Sequence, residues 1–125
     1  MSSRLLYELV ESPLHPDLAA VCARLGYERV AFGSQRKALA AIKARPPDVF
    51  CADFFYGFGN NYAGANVSNL DVLLRSLQRF AANARPVVFS ERDQLAHIDK
   101  LAAIFHLHAV ITLPAAPDEI EAALR

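Results

Sequence analysis

The chain has few cysteines, no net charge and no long apolar run, and each absence excludes a class of protein. Cys22 and Cys51 lie in apolar patterns, which is typical of buried small side chains and not of a disulfide framework. The 13 basic and 13 acidic side chains cancel, so we expect no nucleic-acid binding through bulk positive charge. No apolar run reaches the roughly 18 residues that span a bilayer, and no signal peptide is visible. We therefore expect a cytoplasmic protein that binds neither nucleic acid nor membrane.

The most informative stretch runs from Pro47 to Asp53. Pro47 and Asp48 open a run of four uncharged residues that ends in one carboxylate. A short apolar run bounded by turn formers indicates a strand buried on both faces of a parallel sheet. Because ligands bind at the carboxyl ends of such strands, Asp53 is the best candidate for a functional side chain. A carboxylate that caps a turn is the equally weighted alternative.

The rest of the chain alternates between short apolar runs and segments with one apolar helical face. Hydrophobic residues make up 54% of the 125 residues, enough for one domain over residues 1–125. The alternation predicts five strands and five helices, which is typical of an α/β fold with a doubly wound parallel sheet. Besides the central stretch, the predicted strands are Leu5–Val10, Tyr27–Phe32, Val87–Phe89 and Ala109–Leu113.

The connection that follows Asp53, residues 54–67, is unusually long. Connections in α/β units are usually about 2–6 residues, and longer ones are often functional. This one is rich in glycine, asparagine and aromatic residues, and the aromatic content argues against disorder. We expect a loop that binds a partner or a ligand, through Phe54, Phe55, Tyr56, Phe58, Asn60, Asn61 and Tyr62.

Two other clusters of polar residues have simpler interpretations. His106 and His108 have the spacing H-x-H but no third ligand nearby, so no metal site is predicted. Four basic residues cluster on the second predicted helix or at its end, and we interpret them as a solvated helix face: Arg36, Lys37, Lys43 and Arg45.

At this point the chain resembles a response-regulator receiver domain of the chemotaxis-regulator type. The resemblance rests on the Pro-Asp pair that opens the third strand, on Asp53 at the phospho-acceptor position, on Ser90 at the switch position, and on Leu113-Pro114 at the end of the fifth strand. It implies a (βα)5 flavodoxin-like fold with strand order 2-1-3-4-5, helices 1 and 5 on one face and helices 2, 3 and 4 on the other. It also implies a cis bond between Leu113 and Pro114.

The chain departs from the receiver pattern around Asp53. Receivers have two adjacent acidic residues after the first strand, which hold magnesium, but here only Glu11 clearly matches and Glu8 lies three residues earlier. Leu113 replaces the lysine that contacts the phosphoryl group, and Val110 replaces the aromatic switch residue. Phosphoryl transfer depends on positioning and charge neutralisation, so these changes predict a pseudo-receiver that uses neither magnesium nor another cofactor.

Two functions remain open from the sequence. The first is a receiver-like module of two-component signal transduction without the standard phosphorylation cycle. It acts on another protein, an output domain or a second copy of the chain, and is not an enzyme. The second is a small-ligand binding protein or enzyme on the same fold, with the 54–67 loop as its pocket. A loop that folds over Asp53 would favour the second.

Overall fold

A computed structural model describes residues 4–57 and 68–125 of the chain. Strands and helices alternate along these residues, and a short 3-10 turn at Arg92–Gln94 precedes the fourth helix. The strands are β1 (Arg4–Leu9), β2 (Tyr27–Phe32), β3 (Val49–Asp53), β4 (Arg85–Glu91) and β5 (Ala109–Leu113). The helices are α1 (Ala19–Leu25), α2 (Gln35–Ala44), α3 (Asp71–Phe80), α4 (Leu95–Ala102) and α5 (Pro117–Leu124).

The five strands form one sheet in the order β2-β1-β3-β4-β5, and all neighbouring pairs are parallel. This order confirms the predicted topology. All five residues of β3 are buried, as expected of a central strand with helices on both faces. Asp53 is the last residue of β3 and therefore lies at the carboxyl edge of the sheet.

The helices cover both faces of the sheet and enclose two apolar cores. Helices α2, α3 and α4 lie on one face and α1 and α5 on the other, as predicted. Side chains alternate between the faces along each strand. On the α2–α4 face the core includes Tyr7, Phe50, Ile42, Leu73 and Leu101. On the α1–α5 face it includes Leu6, Cys22, Cys51, Phe89, Ile111 and Leu124.

The predicted ends of two strands are wrong. β1 ends at Leu9, although the Val10 amide still donates to the Phe32 carbonyl at 2.9 Å. β4 is longer than the predicted Val87–Phe89, because it begins before Pro86, at Arg85, and extends to Glu91. A proline lacks an N–H and so indicates a strand end. Here it is accepted near the start of β4, where its carbonyl receives the His108 amide at 2.8 Å.

Local turn chemistry agrees with the fold. Gly26 ends α1 with φ of 78°, a left-handed conformation that glycine adopts without steric cost. The Ser34 hydroxyl accepts the Lys37 amide and caps α2. The Leu113-Pro114 peptide bond is cis, which confirms that prediction. Among the described residues, no helix combines the length and apolar character needed to cross a membrane.

Candidate functional site

Two buried carboxylates point to the same side of the sheet at its carboxyl edge. Glu8 in β1 shares the parity of Leu6, and Asp53 in β3 shares that of Cys51, so both side chains face the α1–α5 side. Glu8 is 2% exposed and Asp53 is 1% exposed. A buried carboxylate is costly unless it is paired or hydrogen-bonded, so each of them requires partners.

The imidazole ring of His15 lies between these two carboxylates. Its Nε2 is 2.6 Å from Oε1 of Glu8, and its Nδ1 is 2.9 Å from both carboxylate oxygens of Asp53. The ring is packed edge-on against Phe89, with 5.2 Å between ring centroids. The His15 side chain is 3% exposed, so protein groups and not water satisfy both ring nitrogens.

Arg29 extends this contact into a row of alternating charges across three strands. Its Nη1 is 2.6 Å from the second oxygen of Glu8. The row therefore runs from Arg29 on β2 through Glu8 on β1 and His15 to Asp53 on β3. When His15 is protonated, the row holds two positive and two negative charges, and the buried carboxylates are neutralised within the protein.

The pKa of His15 reflects this environment. Burial lowers the pKa, but hydrogen bonds and charge interactions with Asp53 and Glu8 outweigh burial and raise it from 6.5 to about 9. The ring is therefore an imidazolium at neutral pH, with both N–H groups donating to carboxylates. His15 is thus a buried cation that stands between two buried anions.

The backbone of the β1–α1 connection also binds Asp53. The amides of Glu11 and Ser12 donate to Oδ2 of Asp53 at 2.9 and 3.0 Å. The same connection is folded on itself, because Ser12 accepts the Leu14 amide through its hydroxyl and the His15 amide through its carbonyl. Both oxygens of the Asp53 carboxylate are therefore engaged, and the connection that carries His15 is tied to β3.

Asn69, just before α3, joins the two connections that border the site. Its Nδ2 donates to Oε1 of Glu11 at 2.9 Å and to the Asp53 carbonyl at 2.8 Å, and its Oδ1 accepts the Phe55 amide at 2.8 Å. Burial raises the pKa of Glu11, and the Asn69 bond opposes this rise. The Glu11 carboxylate thus accepts from the side-chain amide of Asn69, whereas the backbone amide of Glu11 donates to Asp53.

Three other predicted site residues lie on β4 and β5. Ser90 is fully buried at the end of β4, and its hydroxyl donates to the Glu91 carbonyl at 3.0 Å. Leu113 is buried in the apolar core of the α1–α5 face. Val110 is 37% exposed on β5. Their assigned roles as switch position, lost-lysine position and lost aromatic switch stay predictions.

The described part of the long loop divides among three environments. Phe54 is buried in the α2–α4 core, and Phe55 borders an open cavity of about 330 Å³ together with Val10, Glu11 and Gly33. Tyr56 is 42% exposed and stacks on the His97 ring, with 3.7 Å between centroids. Four predicted loop residues lie outside the described residues: Phe58, Asn60, Asn61 and Tyr62.

His15 is the residue that sequence reasoning did not identify. A histidine in a loop beside Pro16 gives no periodic signal. The available signal was indirect: Glu8 interrupts an apolar strand, and a buried carboxylate in a strand requires a cation. Two basic residues fill that need, Arg29 from the neighbouring strand and His15 from the following connection.

The residues around Asp53 do not fit the magnesium ion that the receiver pattern implies. Magnesium requires about six oxygen ligands near 2.1 Å in octahedral geometry. Here the imidazole of His15 lies between Glu8 and Asp53, and Oδ2 of Asp53 already accepts two amides. Among the described residues, no group of three or more histidine, cysteine, aspartate or glutamate side chains is arranged to hold a metal.

Searches by sequence find no matching protein-family model and no similar curated protein. Solved structures are similar in fold over nearly the whole chain. A response regulator receiver domain protein from Clostridium thermocellum matches with a TM-score of 0.70 and 14% identity, over 98% of this chain and 91% of that one.

Two further structures give the same result. The signal receiver domain of an HD domain-containing protein from Pseudomonas fluorescens matches with a TM-score of 0.72 and 16% identity, over 100% and 93% of the two chains. An adenylate cyclase structure from Rhodopirellula baltica matches with a TM-score of 0.70 and 17% identity, over 99% of this chain and 85% of that one. The chain therefore has the fold of a response-regulator receiver domain.

Proposed function

We propose that this domain is a receiver-like signalling module that acts through protein–protein contact without an aspartyl phosphorylation cycle. One observation carries the proposal: the His15 ring contacts both oxygens of Asp53, the carboxylate at the phospho-acceptor position. The proposal places the module in the cytoplasm, where its partner is a signalling protein, an output domain or a second copy of the chain.

The contacts of Asp53 oppose its use as a nucleophile. A carboxylate that attacks a phosphoryl group needs a free oxygen and an open approach. Asp53 is 1% exposed, and its oxygens accept two backbone amides in addition to the His15 ring. Attack would require these bonds to break and would leave the Glu8 carboxylate beside a more anionic site.

The apolar side chain of Leu113 removes a second requirement. Phosphoryl transfer is catalysed largely by positioned positive charge on the transferred group. Leu113 stands where the receiver pattern has a lysine and packs in the apolar core. Loss of one such contact in the transition state costs on the order of 10²–10³ in rate.

The proposal is tested by intact-mass spectrometry after incubation with acetyl phosphate and magnesium. An unaltered receiver domain from another protein serves as the positive control. We expect no mass gain for this chain under conditions that label the control. A stoichiometric gain that disappears in Asp53→Asn would refute the proposal.

A Leu113→Lys variant separates the two causes. Because His15 still occupies the Asp53 carboxylate in this variant, we expect the restored lysine alone to give no labelling. Labelling of Leu113→Lys at the level of the positive control would show that the missing lysine, and not His15, blocks the reaction. Circular dichroism before incubation confirms that the variant is folded.

The cavity beside Phe55 favours a second candidate function, small-ligand binding. Its volume of about 330 Å³ and its mixed lining of Val10, Glu11, Gly33 and Phe55 suit a compact polar molecule. Screening of small acids, amines and nucleosides by ¹⁵N NMR tests this function. Saturable shifts confined to Val10, Gly33 and Phe55 would support it, and their absence across the screen would count against it.

A further inference from the structure

Helices α2 and α3 pack side by side and carry a concentrated positive charge. Their basic side chains are Arg36, Lys37, Lys43, Arg75 and Arg79, and their one acidic side chain, Asp71, is fully buried. The chain as a whole has no net charge, so its exposed acidic side chains lie elsewhere. The outer surface of these two helices is therefore a strongly positive region of a neutral molecule.

A groove between the two helices has an apolar floor and a basic rim. Its volume is about 440 Å³. Val72 in the floor is 49% exposed, a high value for a large aliphatic side chain, and Leu39 and Phe80 are partly exposed. The rim consists of Lys43, Arg75 and Arg79, and the small residues Ala40 and Ser76 leave room for close approach.

The rim cations contact aromatic rings. Lys43 lies 5.6 Å and Arg79 5.2 Å from the centroid of the Phe80 ring. Such contacts direct a cation over an apolar surface without neutralising its charge. Within the described residues, neither Lys43 nor Arg79 forms an ion pair, whereas Arg45 just after α2 forms two bonds to Glu28.

We propose that the α2–α3 groove binds an amphipathic helix with acidic flanks from a partner protein. Apolar residues one turn apart on that helix would cover Leu39, Val72 and Phe80, and flanking carboxylates would pair with Lys43 and Arg79. A groove between two helices accepts the ridge of a third, and such helix-in-groove recognition uses apolar anchors spaced three and four residues apart. The positive rim favours a partner with negative charge.

The composition of the groove distinguishes this partner from other anions. Nucleic acid and anionic lipid headgroups require mainly positive charge, and neither explains an exposed apolar lining that includes Val72. The inference rests on the part of the proposed function in which the domain acts through protein contact. It goes further in naming the surface and the chemistry of the partner.

The test is a binding titration with a synthetic helical peptide of about 18 residues, carrying leucine along one face and glutamate beside it. Calorimetry measures affinity, and ¹⁵N NMR maps the contact. We expect saturable binding with shifts at Leu39, Val72 and Phe80. A peptide of the same composition in shuffled order, without an apolar face, should bind at least tenfold more weakly.

Matched variants distinguish binding in the groove from nonspecific electrostatic attraction to the protein. Lys43→Glu/Arg79→Glu should weaken binding at least tenfold, whereas Arg24→Glu/Arg92→Glu changes the net charge equally and should leave affinity within twofold. Val72→Ser should weaken binding severalfold. Ile104→Ser removes an equally exposed side chain, 50% against 49%, in the turn after α4 and should leave binding unchanged.

Several results would overturn the inference. They are equal binding of the shuffled peptide, equal loss in the two charge-matched variants, or displacement of the peptide by a single-stranded oligonucleotide or a phosphatidylserine vesicle. Self-association that Lys43→Glu/Arg79→Glu abolishes, without peptide binding, would assign the groove to a second copy of the chain. All titrations omit phosphodonor, so failure here leaves the phosphorylation test unaffected, and labelling of Asp53 leaves the groove unaffected.

Discussion

At the scale of single residues, the site is governed by the charge on His15. Among the described residues, the imidazolium is the one ion-pair partner that Glu8 and Asp53 share, while Arg29 pairs with Glu8. Breaking a buried pair by removing one partner leaves an uncompensated charge, and this costs more than the intact pair contributes. His15 is therefore the side chain whose loss the site tolerates least.

Removal of this ring should destabilise the fold strongly. We expect His15→Ala to lower the free energy of unfolding by about 3–5 kcal/mol at pH 7, measured by urea denaturation. In His15→Ala/Asp53→Asn one of the buried anions that lost its partner is also removed, so the double variant should be roughly 1–3 kcal/mol more stable than the sum of the single effects predicts. Strict additivity would show that His15 and Asp53 do not interact as described.

The pH dependence of stability reports the same residue. The pKa of His15 is raised to about 9 in the folded protein, against 6.5 in the unfolded chain. The folded state thus binds more protons between these values, and stability must fall as pH rises. The contribution is fully present below pH 6.5 and is lost as pH rises through 9.

Unfolding free energies measured at intervals from pH 6 to pH 9 check this expectation. We expect the unaltered protein to lose roughly 3 kcal/mol over this range relative to His15→Asn, which lacks the titrating ring. The variant also corrects for the thiols of Cys22 and Cys51, which begin to titrate in the unfolded chain near the upper limit. Parallel pH profiles for the two proteins would contradict the ion pairs.

Sequence reasoning identified half of this site. Asp53 was predictable because a carboxylate at the end of an apolar run must lie at a strand end. Glu8 received less weight than Glu11, because the receiver pattern places its acidic pair after the first strand. His15 was not predictable, since its position depends on how a connection without periodicity folds back over the sheet.

At the scale of elements, two connections meet through one side chain. Asn69 binds Glu11 in the β1–α1 connection and both Asp53 and Phe55 in the β3–α3 connection. Its side-chain bonds add to a backbone bond within the β3–α3 connection, in which the Asn69 amide donates to the Phe55 carbonyl at 3.2 Å. The site therefore depends on Asn69, just before α3, as well as on the ends of the strands.

Asn69→Ala should accordingly cost about 2 kcal/mol of unfolding free energy, since it removes three bonds and leaves the Phe55 amide without its acceptor. Gln94→Ala is a matched control, because Oε1 of Gln94 accepts the Tyr56 amide at 2.8 Å in an exposed setting. We expect the control to cost less than 0.5 kcal/mol, as is usual for surface substitutions. Equal losses in a urea titration would show that Asn69 has no special role.

The elements themselves were predicted better than their ends. β2 and β5 match the prediction because clear turn residues bound them, as Gly26 does before β2. β4 was shortened in the prediction because Pro86 looks like a strand end when the sheet position is unknown. The tertiary register decides such cases, since a proline is tolerated where its missing N–H has no partner to lose.

At the scale of the whole molecule, one sheet separates two cores, and strands β1 to β4 contribute side chains to both. Tyr7 belongs to the α2–α4 core and Tyr27 to the α1–α5 core. A helix on either face cannot lose its packing without exposing the sheet that supports the other. A domain of this size is expected to unfold in one cooperative transition.

A truncated side chain in one core should therefore lower the stability that is measured by probes in both cores. Leu73 is fully buried on the α2–α4 face, and Leu73→Ala should cost about 2–5 kcal/mol. With fluorinated tyrosine, the ¹⁹F signals of Tyr7 and Tyr27 should show the same lowered urea midpoint. A shift at Tyr7 alone would mean that the faces unfold separately.

The placement of His15 also has a thermodynamic consequence. A metal ion in a protein exchanges with solution, and its occupancy follows its concentration. The imidazolium is tethered to β1 through the short connection after Glu8, so its effective concentration at the site is high and independent of any pool. Chelators cannot withdraw this cation and dilution cannot remove it. Its charge depends on pH and changes only in the alkaline range, so the positive charge at this site does not depend on which metal ions are in solution.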